Sequence, residues 1–348
     1  MSILLSGGTG FLARAYLRSV GEPIVALIRP PTHEDRARSL ARRLGIDVTA
    51  VAGDIRSPRW GLDEATIERL RGEVRLVANF AVQSSWAASW TSLMSTNVDG
   101  ARNAVEVAAA LGVPLLHISS LYAAYGYSRY VPEALVDEQA HLSKYERSKC
   151  RGEWAVADRA AELGVPTWIV RVGALGGDLR VSPEAREKTS APVMARLIDS
   201  DSEGWAPYAL GARLDLAPRD LVAERIVDIT RGEPADDLVV KHVCQGHSAP
   251  HAGAILAEAS RQGMGNKHKL RPVPVPAKVL MEVSELADRF GRGRRTNLLI
   301  GARYFCSKTV FLSDGLGQEV SLPDLVSTLV RKPKREPTGL PEFYVRWL

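Results

Sequence analysis

Tyr145-Glu146-Arg147-Ser148-Lys149 sets a phenol and an ammonium four residues apart. The stretch from Ser143 to Leu163 reads as a helix, so the two side chains share one face. A free phenol, with a pKa of about 10, is a poor proton relay near neutrality. A neighbouring ammonium, with the positive ring of an oxidised nicotinamide, favours phenolate and is expected to lower that value. Such a phenol can exchange a proton with a carbonyl oxygen as hydride moves at the carbon. Ser120 lies 25 residues upstream, at the end of an apolar run, and would give the same oxygen a second hydrogen bond. Alone, Y-x-x-x-K fits an exposed tyrosine stacked on lysine. With Ser119-Ser120 before it in a βαβ series, the catalytic reading is preferred.

Ser6-Gly7-Gly8-Thr9-Gly10-Phe11-Leu12-Ala13 follows the first strand-like run. Gly7 permits a tight turn, Gly10 lets backbone N–H groups approach a pyrophosphate at a helix N-terminus, and Ala13 replaces the third small residue. Gly7, Thr9, Gly10, Phe11 and Leu12 are therefore candidate dinucleotide-binding residues. Binders of NAD carry a carboxylate after the second strand. Here Ile24–Ile28 is followed by Arg29, with Arg36 and Arg38 nearby and Glu34 and Asp35 beyond the strand end. A guanidinium there would pair with a 2′-phosphate, so NADP(H) is the expected cofactor; the alternative is a solvated arginine face. Asp54 ends the third strand and could accept from an adenine amino group, or cap the next segment. Ile55 beside it and Ala81 after the fourth strand complete the expected cofactor contacts.

These residues need a frame. Short apolar runs (3–5, 24–28, 48–52, 74–80, 113–118 and 167–170) alternate with helical stretches (11–20, 33–44, 62–70, a long region from about Trp86 to Leu111, and 143–163). Runs without in/out alternation, each followed by a helix, predict a parallel sheet buried on both faces, the doubly wound α/β (Rossmann) class. The rhythm fails after Gly176. A helix near Val193–Ser200, a helix at Leu221–Thr230, a late strand at Asp237–Cys244 and helices over 249–262 and 276–290 follow. The expected division is a nucleotide-binding domain over 1–176, rejoined at 213–245, and a smaller, mainly helical substrate-binding region over 177–348.

Over about residues 1–245 the chain resembles the extended short-chain dehydrogenase/reductase superfamily. The match rests on Gly7-Gly8-Thr9-Gly10-Phe11-Leu12, Gly53-Asp54-Ile55, Asn97-Val98-Asp99-Gly100, His117-Ile118-Ser119-Ser120, Tyr145–Lys149 and Pro166 to Arg171. The resemblance implies Ser120, Tyr145 and Lys149 as the catalytic set and Asn97 as a support for the sheet and the catalytic region. Gly53-Asp54-Ile55-Arg56-Ser57-Pro58-Arg59-Trp60-Gly61-Leu62, Arg29 with its Arg-rich helix, and Leu214–Asp220 are similar to the thioester reductase and fatty acyl-CoA reductase branch. That branch implies NADPH-dependent reduction of an acyl thioester, on CoA or a carrier protein, to an aldehyde or, after a second round, an alcohol. Two departures stand out: Asn79-Phe80-Ala81-Val82 replaces the usual H-x-A-A, and Arg219 stands where an apolar residue is commoner. The last 100 residues match nothing.

Two other enzyme readings share the scaffold: a sugar-nucleotide epimerase/dehydratase, against which Arg29 argues, and a ketone/alcohol dehydrogenase. A non-catalytic NADP-sensing protein would tend to lose the tyrosine or lysine. Lys+Arg 45 against Asp+Glu 40 leaves +5 over 348 residues, too weak for a dedicated nucleic-acid binder. With 45% hydrophobic and 24% charged residues, wholesale disorder is excluded. Three scattered cysteines argue against a disulfide framework or zinc site, and His242, His247 and His251 lack a metal-ligand pattern, so no metal is expected. No apolar stretch is long enough to span a membrane. The small-residue site at Ala13-Arg14-Ala15 lacks a basic leader, so a cytoplasmic protein is expected. Tyr122, Tyr125, Tyr127 and Tyr130 crowd the segment after Ser120, as substrate mouth or packed loop. Two basic clusters (Arg292, Arg294, Arg295 and Lys332, Lys334, Arg335) fit solvated surface, or contacts to pantetheine or CoA phosphates or an acidic carrier.

Overall fold

The computed structural model describes residues 1–31, 33–126, 128–139, 142–180, 205–264, 271–290 and 302–329. The first half alternates as the pattern requires: β1 (Ser2–Ser6), α1 (Phe11–Val20), β2 (Ile24–Ile28), α2 (His33–Leu44), β3 (Val48–Ala52), α3 (Glu64–Leu70) and β4 (Val74–Asn79). There follow α4 (Trp90–Met94), a π turn (Ser95–Asp99), α5 (Gly100–Leu111), β5 (Leu115–Ser120), β6 (Tyr130–Val131), α6 (Lys144–Leu163), β7 (Thr167–Val172) and β8 (Ala174–Gly176). The remainder holds β9 (Trp205–Tyr208), β10 (Leu216–Pro218), α7 (Arg219–Ile229), β11 (Leu238–Val243), α8 (Ala252–Arg261), β12 (Arg271–Pro274), α9 (Ala277–Phe290), β13 (Val310–Phe311) and α10 (Leu322–Ser327).

Seven strands form one parallel sheet in the order β11-β7-β5-β4-β1-β2-β3. Alternate residues of β1 enter cores on opposite faces: Ile3 and Leu5 join Tyr16, Leu40 and Ile226, while Leu4 joins Trp60, Ile67 and Val105. Both faces are covered over β1, β2, β4 and β7, which are buried almost throughout and read as apolar runs, while the edge strand β3 leaves Thr49 and Ala52 exposed. A third apolar cluster lies beyond the carboxyl ends of the strands, joining Trp86 and Tyr145 to Leu214, Ile255, Tyr304 and Val326.

Two expected boundaries shift for identifiable reasons. The third helix begins at Glu64 rather than Leu62, because Asp63 caps it by accepting from the Thr66 N–H at 2.8 Å. The region from Trp86 to Leu111 is not one helix. Asn97 lies in the π turn, where its side chain accepts from the Gln83 N–H at 2.8 Å and donates to the Gln83 carbonyl at 3.1 Å. That exchange ties the helical turn to the loop after β4. Among the described residues, no helix is long and apolar enough to cross a membrane.

Candidate active site

The β1–α1 turn is shaped by close approach. Gly7 has φ +71°, and a Cβ on it would stand 2.6 Å from the Ala81 nitrogen, so the turn seats directly on the loop after β4. Gly10 precedes α1, its N–H donates to the Gly7 carbonyl at 2.8 Å, and the helix opens with no side-chain cap. Thr9 is exposed, Phe11 half-buried and Leu12 buried. A dinucleotide pyrophosphate fits this arrangement: a helix N-terminus with no side-chain cap and a glycine-rich turn that carries one exposed side chain, that of Thr9. Behind it lies a residue the sequence marked only as a departure. Arg219, 1% exposed, pairs with Asp178 at 2.6 and 2.5 Å, and its guanidinium sits 4.4 Å from the Phe11 ring centroid and donates to the Phe11 carbonyl at 3.3 Å. A buried guanidinium needs a carboxylate, and Asp178 supplies it.

Arg29 follows β2 and is exposed; its charge helps to lower the Asp54 carboxyl, although the first cause is Arg56. Asp54 accepts from the Arg56 N–H at 3.0 Å and from its guanidinium at 2.6 Å, the local turn that was the alternative to an adenine contact. Ile55 is held by Asn103, whose amide donates to the Ile55 carbonyl at 2.9 Å. The turn closes through Trp60, fully buried at φ +59°, whose carbonyl accepts from the Asp54 N–H at 2.9 Å. Arg36 and Arg38 do not join Arg29. Both are exposed on α2, where Arg38 pairs with Glu34 and Asp35, the solvated face that was the alternative.

At the other end of the sheet the alternation of β5 separates the two serines. Ser119 donates to Glu153, whereas Ser120 hydrogen-bonds the Tyr145 hydroxyl and accepts from the Tyr122 N–H at 3.3 Å. One helical turn after Tyr145, Lys149 donates to the Ile118 carbonyl at 3.1 Å. Asn97 reaches the same helix, donating to the Ser148 hydroxyl at 2.9 Å. The crossing is tight enough that a Cβ on Gly152 would stand 2.3 Å from the Asn97 carbonyl oxygen. The structure thus brings Ser120, Tyr145, Lys149 and Asn97 together.

The electrostatics correct the expectation for Tyr145. Its hydroxyl is pushed up to about 12 rather than down: burial dominates, the Ser120 hydrogen bond opposes it, and Glu146 adds to it. Residue spacing carries no information about desolvation, and the tyrosine is 8% exposed. Lys149 moves the other way, down to about 8, because burial disfavours the ammonium more than Glu153 supports it. At neutral pH the site therefore holds a protonated phenol beside an ammonium.

Two buried networks support this set, and sequence reasoning missed both. Glu153 pairs with Arg171 at 2.7 and 2.9 Å, and Arg171 donates to His242 Nε2 at 3.2 Å. Burial takes His242 down to about 4, so it is a neutral acceptor here. Among the described residues, no group of three His, Cys, Asp or Glu side chains is arranged to hold a metal. Glu146, adjacent to Tyr145, pairs with Arg303 at 3.0 Å and accepts from the Tyr304 hydroxyl at 2.7 Å. Tyr304 stacks on Tyr122 at 3.9 Å and packs against Trp86 at 4.9 Å. Tyr125 donates to the Arg303 carbonyl at 2.6 Å. Tyr122 and Tyr125 thus belong to the aromatic wall beside Tyr145, and Tyr130 points elsewhere, exposed. Tyr127, the helix expected at Val193–Ser200 and both C-terminal basic clusters lie outside the described residues.

Residues 5–226 match the family model described as "Male sterility protein". The chain is 29% identical over 193 residues to an isonitrile lipopeptide synthase of Streptomyces coeruleorubidus, covering 50% of this chain and 13% of that protein. It is 27% identical over 279 residues to an L-2-aminoadipate reductase large subunit of Penicillium chrysogenum, covering 71% and 19%. The chain therefore spans less than a fifth of either relative's length. In fold it is similar to the terminal R domain of the myxalamid PKS-NRPS biosynthetic pathway, with TM-score 0.70 and 22% identity, covering 94% of this chain and 89% of that one. With the matched model covering well over half of its length, the chain belongs to the male sterility protein family, in the thioester-reductase branch of the extended short-chain dehydrogenase/reductases.

Proposed function

We propose that the protein is an NADPH-dependent reductase of an acyl thioester, releasing an aldehyde and a free thiol. The observation that carries this reading is the junction of Ser120, Tyr145 and Lys149 at the carboxyl end of the sheet. The β1–α1 turn, with Gly7, Thr9, Gly10, Phe11 and Leu12, would hold the pyrophosphate. Asp54, Ile55 and Ala81 line the same edge, and Arg29, the cation where an NAD binder carries a carboxylate, would take the 2′-phosphate. When bound, the reduced nicotinamide supplies hydride. Everything else falls to the chain. Tyr145 is a protonated phenol at neutral pH, so its Oη–H is ready to donate to the thioester oxygen as charge develops there. Ser120, now hydrogen-bonded to the Tyr145 hydroxyl, would turn its Oγ–H to the same oxygen and give the second hydrogen bond. The Lys149 ammonium, one turn on, stabilises the phenolate left behind. The hemithioacetal hydroxyl then returns its proton to the Tyr145 phenolate as the C–S bond breaks, and the departing thiolate takes a proton from solvent. The wall of Tyr122, Tyr304 and Trp86 excludes water from the oxygen.

The substrate fits a carrier-bound acyl or peptidyl group, because two of the similar proteins are a lipopeptide synthase and an R domain of a synthase pathway. The test is incubation with NADPH and a panel of acyl thioesters on CoA and on carrier proteins. Loss of nicotinamide absorbance with equimolar thiol release is expected. Cofactor oxidation by ketones or free aldehydes with no thioester turnover would overturn the reading in favour of a simple dehydrogenase.

A further inference from the structure

Three stretches of chain contribute to the apolar cluster around Tyr145: Tyr122 and Tyr125 from one, Ala206, Ala212 and Leu214 from a second, and Tyr304 and Phe305 from a third. Tyr122 lies in residues 121–126 and Arg129 and Tyr130 in residues 128–131, residues 205–215 pass through Arg213, and residues 303–311 run from Tyr304 to Lys308. The first and last of them pair at their far ends, through Tyr130 with Val310 and Val131 with Phe311. There they enclose a cavity of about 360 Å³ whose lining includes Arg129, Tyr130, Arg213, His247, His251 and Lys308, with no carboxylate. None of the three permanent cations is in an ion pair among the described residues. Arg213 is fixed by carbonyls, donating to Ala249 O at 2.6 Å and His247 O at 3.3 Å, which orients its guanidinium without cancelling its charge. Arg129 lies 5.6 Å from the Tyr130 ring centroid, and that ring lies 6.0 Å from the His247 ring. Lys308 reaches across Gly211, where a Cβ would stand 3.7 Å from its Nζ.

Three like charges around one concavity repel each other, and an anion relieves that repulsion. The volume falls at the lower end of the range for small-molecule sites, enough for a phosphate ester with part of its chain. Resting on the thioester reading above, we infer that this cavity binds the phosphate of the pantetheine arm that carries the acyl group. The shared chemistry is a phosphate ester of pantetheine, supplied by a carrier's prosthetic arm or by coenzyme A. The arm would then run from the cavity, along the segments that join it to Tyr122 and Tyr304, to the thioester at Tyr145. Arg129 and Lys308 make the ionic contacts, and Arg213 adds a fixed guanidinium for two parallel hydrogen bonds.

The experiment is a calorimetric titration with the dinucleotide site saturated by NADPH, so that cofactor phosphates do not compete. The probes are 4′-phosphopantetheine, coenzyme A and unphosphorylated pantetheine. Both phosphorylated probes are expected to bind at least tenfold tighter than pantetheine. In the double variant Arg129→Gln/Lys308→Gln, which breaks no ion pair among the described residues, that preference should vanish while the melting temperature holds. Tighter binding of coenzyme A than of 4′-phosphopantetheine assigns the cavity to the nucleotide's phosphates; equal binding assigns it to the arm's own. In turnover, the double variant should raise KM for an acyl-phosphopantetheine about tenfold with kcat unchanged, and leave KM for the matching acyl-pantetheine where it was. Equal affinity for 4′-phosphopantetheine and pantetheine in the unmutated protein, or a phosphate preference that survives the double variant, overturns the inference. The titration reads the cavity without turnover, so thioesters that bind but are not reduced would count against the catalytic reading alone.

Discussion

The seven-stranded sheet and the region beyond its carboxyl ends are held together by different physics. Sheet strands are joined by parallel ladders and are mostly apolar, so most of their residues are interchangeable contributors to a core on either face, with Ser119, Ser120 and Arg171 as exceptions. Among the described residues, the overlying region has only two-stranded patches (β6 with β13, β8 with β10, β9 with β12), each joining segments distant in sequence. Its contacts with the rest of the molecule include buried polar pairs: Glu146 with Arg303 and Tyr304, and Arg219 with Asp178 and Phe11. Cores of the first kind tolerate substitution at constant volume. Pairs of the second kind depend on one partner each, because an abandoned buried charge is costly. A fixed frame with an individually specified cover is how one scaffold can take different substrates.

The largest expected effect falls where the two regions meet. Tyr145→Phe removes the phenolic proton and keeps the ring, so NADPH binding and melting temperature should hold while turnover falls about 10²- to 10⁴-fold. A loss below threefold in steady-state assays would make Tyr145 a packing residue. Ser120→Ala should cost less, since one of two hydrogen bonds to the oxygen remains.

Next in size is the pair that clamps the start of the catalytic helix. Arg303→Met leaves the Glu146 carboxylate buried without its cation and should cost about 3–5 kcal/mol in urea unfolding. In the sheet, Ile169→Val removes one methyl from a fully buried position and should cost about 0.5–1.5 kcal/mol. Equal losses from the two variants would mean that the cover is held by bulk packing after all, and a smaller loss from Arg303→Met would remove the clamp.

That contrast also explains what the sequence could show. The strands and helices up to Val172 are legible because burial on both faces leaves a simple apolar run, and Ser120, Tyr145 and Lys149 are legible because a helix fixes their spacing. The π turn at Asn97 is not, since it depends on bonds to Gln83 in a different segment. Arg303 and Tyr304 carry no local signal at all; their meaning is set by Glu146, more than 150 residues away. Glu153 could have been suspected, one turn after Lys149 on the same helix face, but its partner Arg171 lies on the next strand. The rise in the Tyr145 pKa was illegible for a related reason: desolvation is a property of everything packed around a group.

Lys149 offers a smaller, graded effect. Its ammonium is lost as pH rises through about 8, so reduction should fall about tenfold per pH unit beyond that point. The sign for stability is opposite. The unfolded lysine keeps its proton up to about 10.5 and the folded one does not, so this group by itself adds stability as pH rises from about 8; above about 9 the buried thiols of Cys150, Cys244 and Cys306, held protonated in the fold, act in the opposite sense. Turnover that falls while the melting temperature rises relative to that of Lys149→Arg, followed over the same pH range, is the signature. Lys149→Arg keeps the charge at all these pH values and should abolish the alkaline fall. If the fall persists in that variant, another group titrates.

The smallest expected effect tests the sheet edge, where charge is exposed rather than buried. Arg29 follows β2 in solvent, and the nearby Asp54 carboxylate is already engaged by Arg56, so Arg29 keeps its guanidinium available for a 2′-phosphate. Exposure limits what one such contact can contribute. A tenfold preference for NADPH over NADH, about 1.4 kcal/mol, is the size expected of a single solvent-facing charge-assisted contact. Arg29→Ala should erase most of it by weakening NADPH and leaving NADH unchanged. Removing the other cations should do little, since Arg38 is paired with Glu34 and Asp35 along its own helix. Fluorescence titration of both cofactors reads this directly. Equal affinities in the unmutated protein would remove Arg29 from the site. A preference lost only when Arg56 is also changed would move the 2′-phosphate contact to the Asp54 turn, and would make the cofactor edge depend on a specific pair, as the substrate side does.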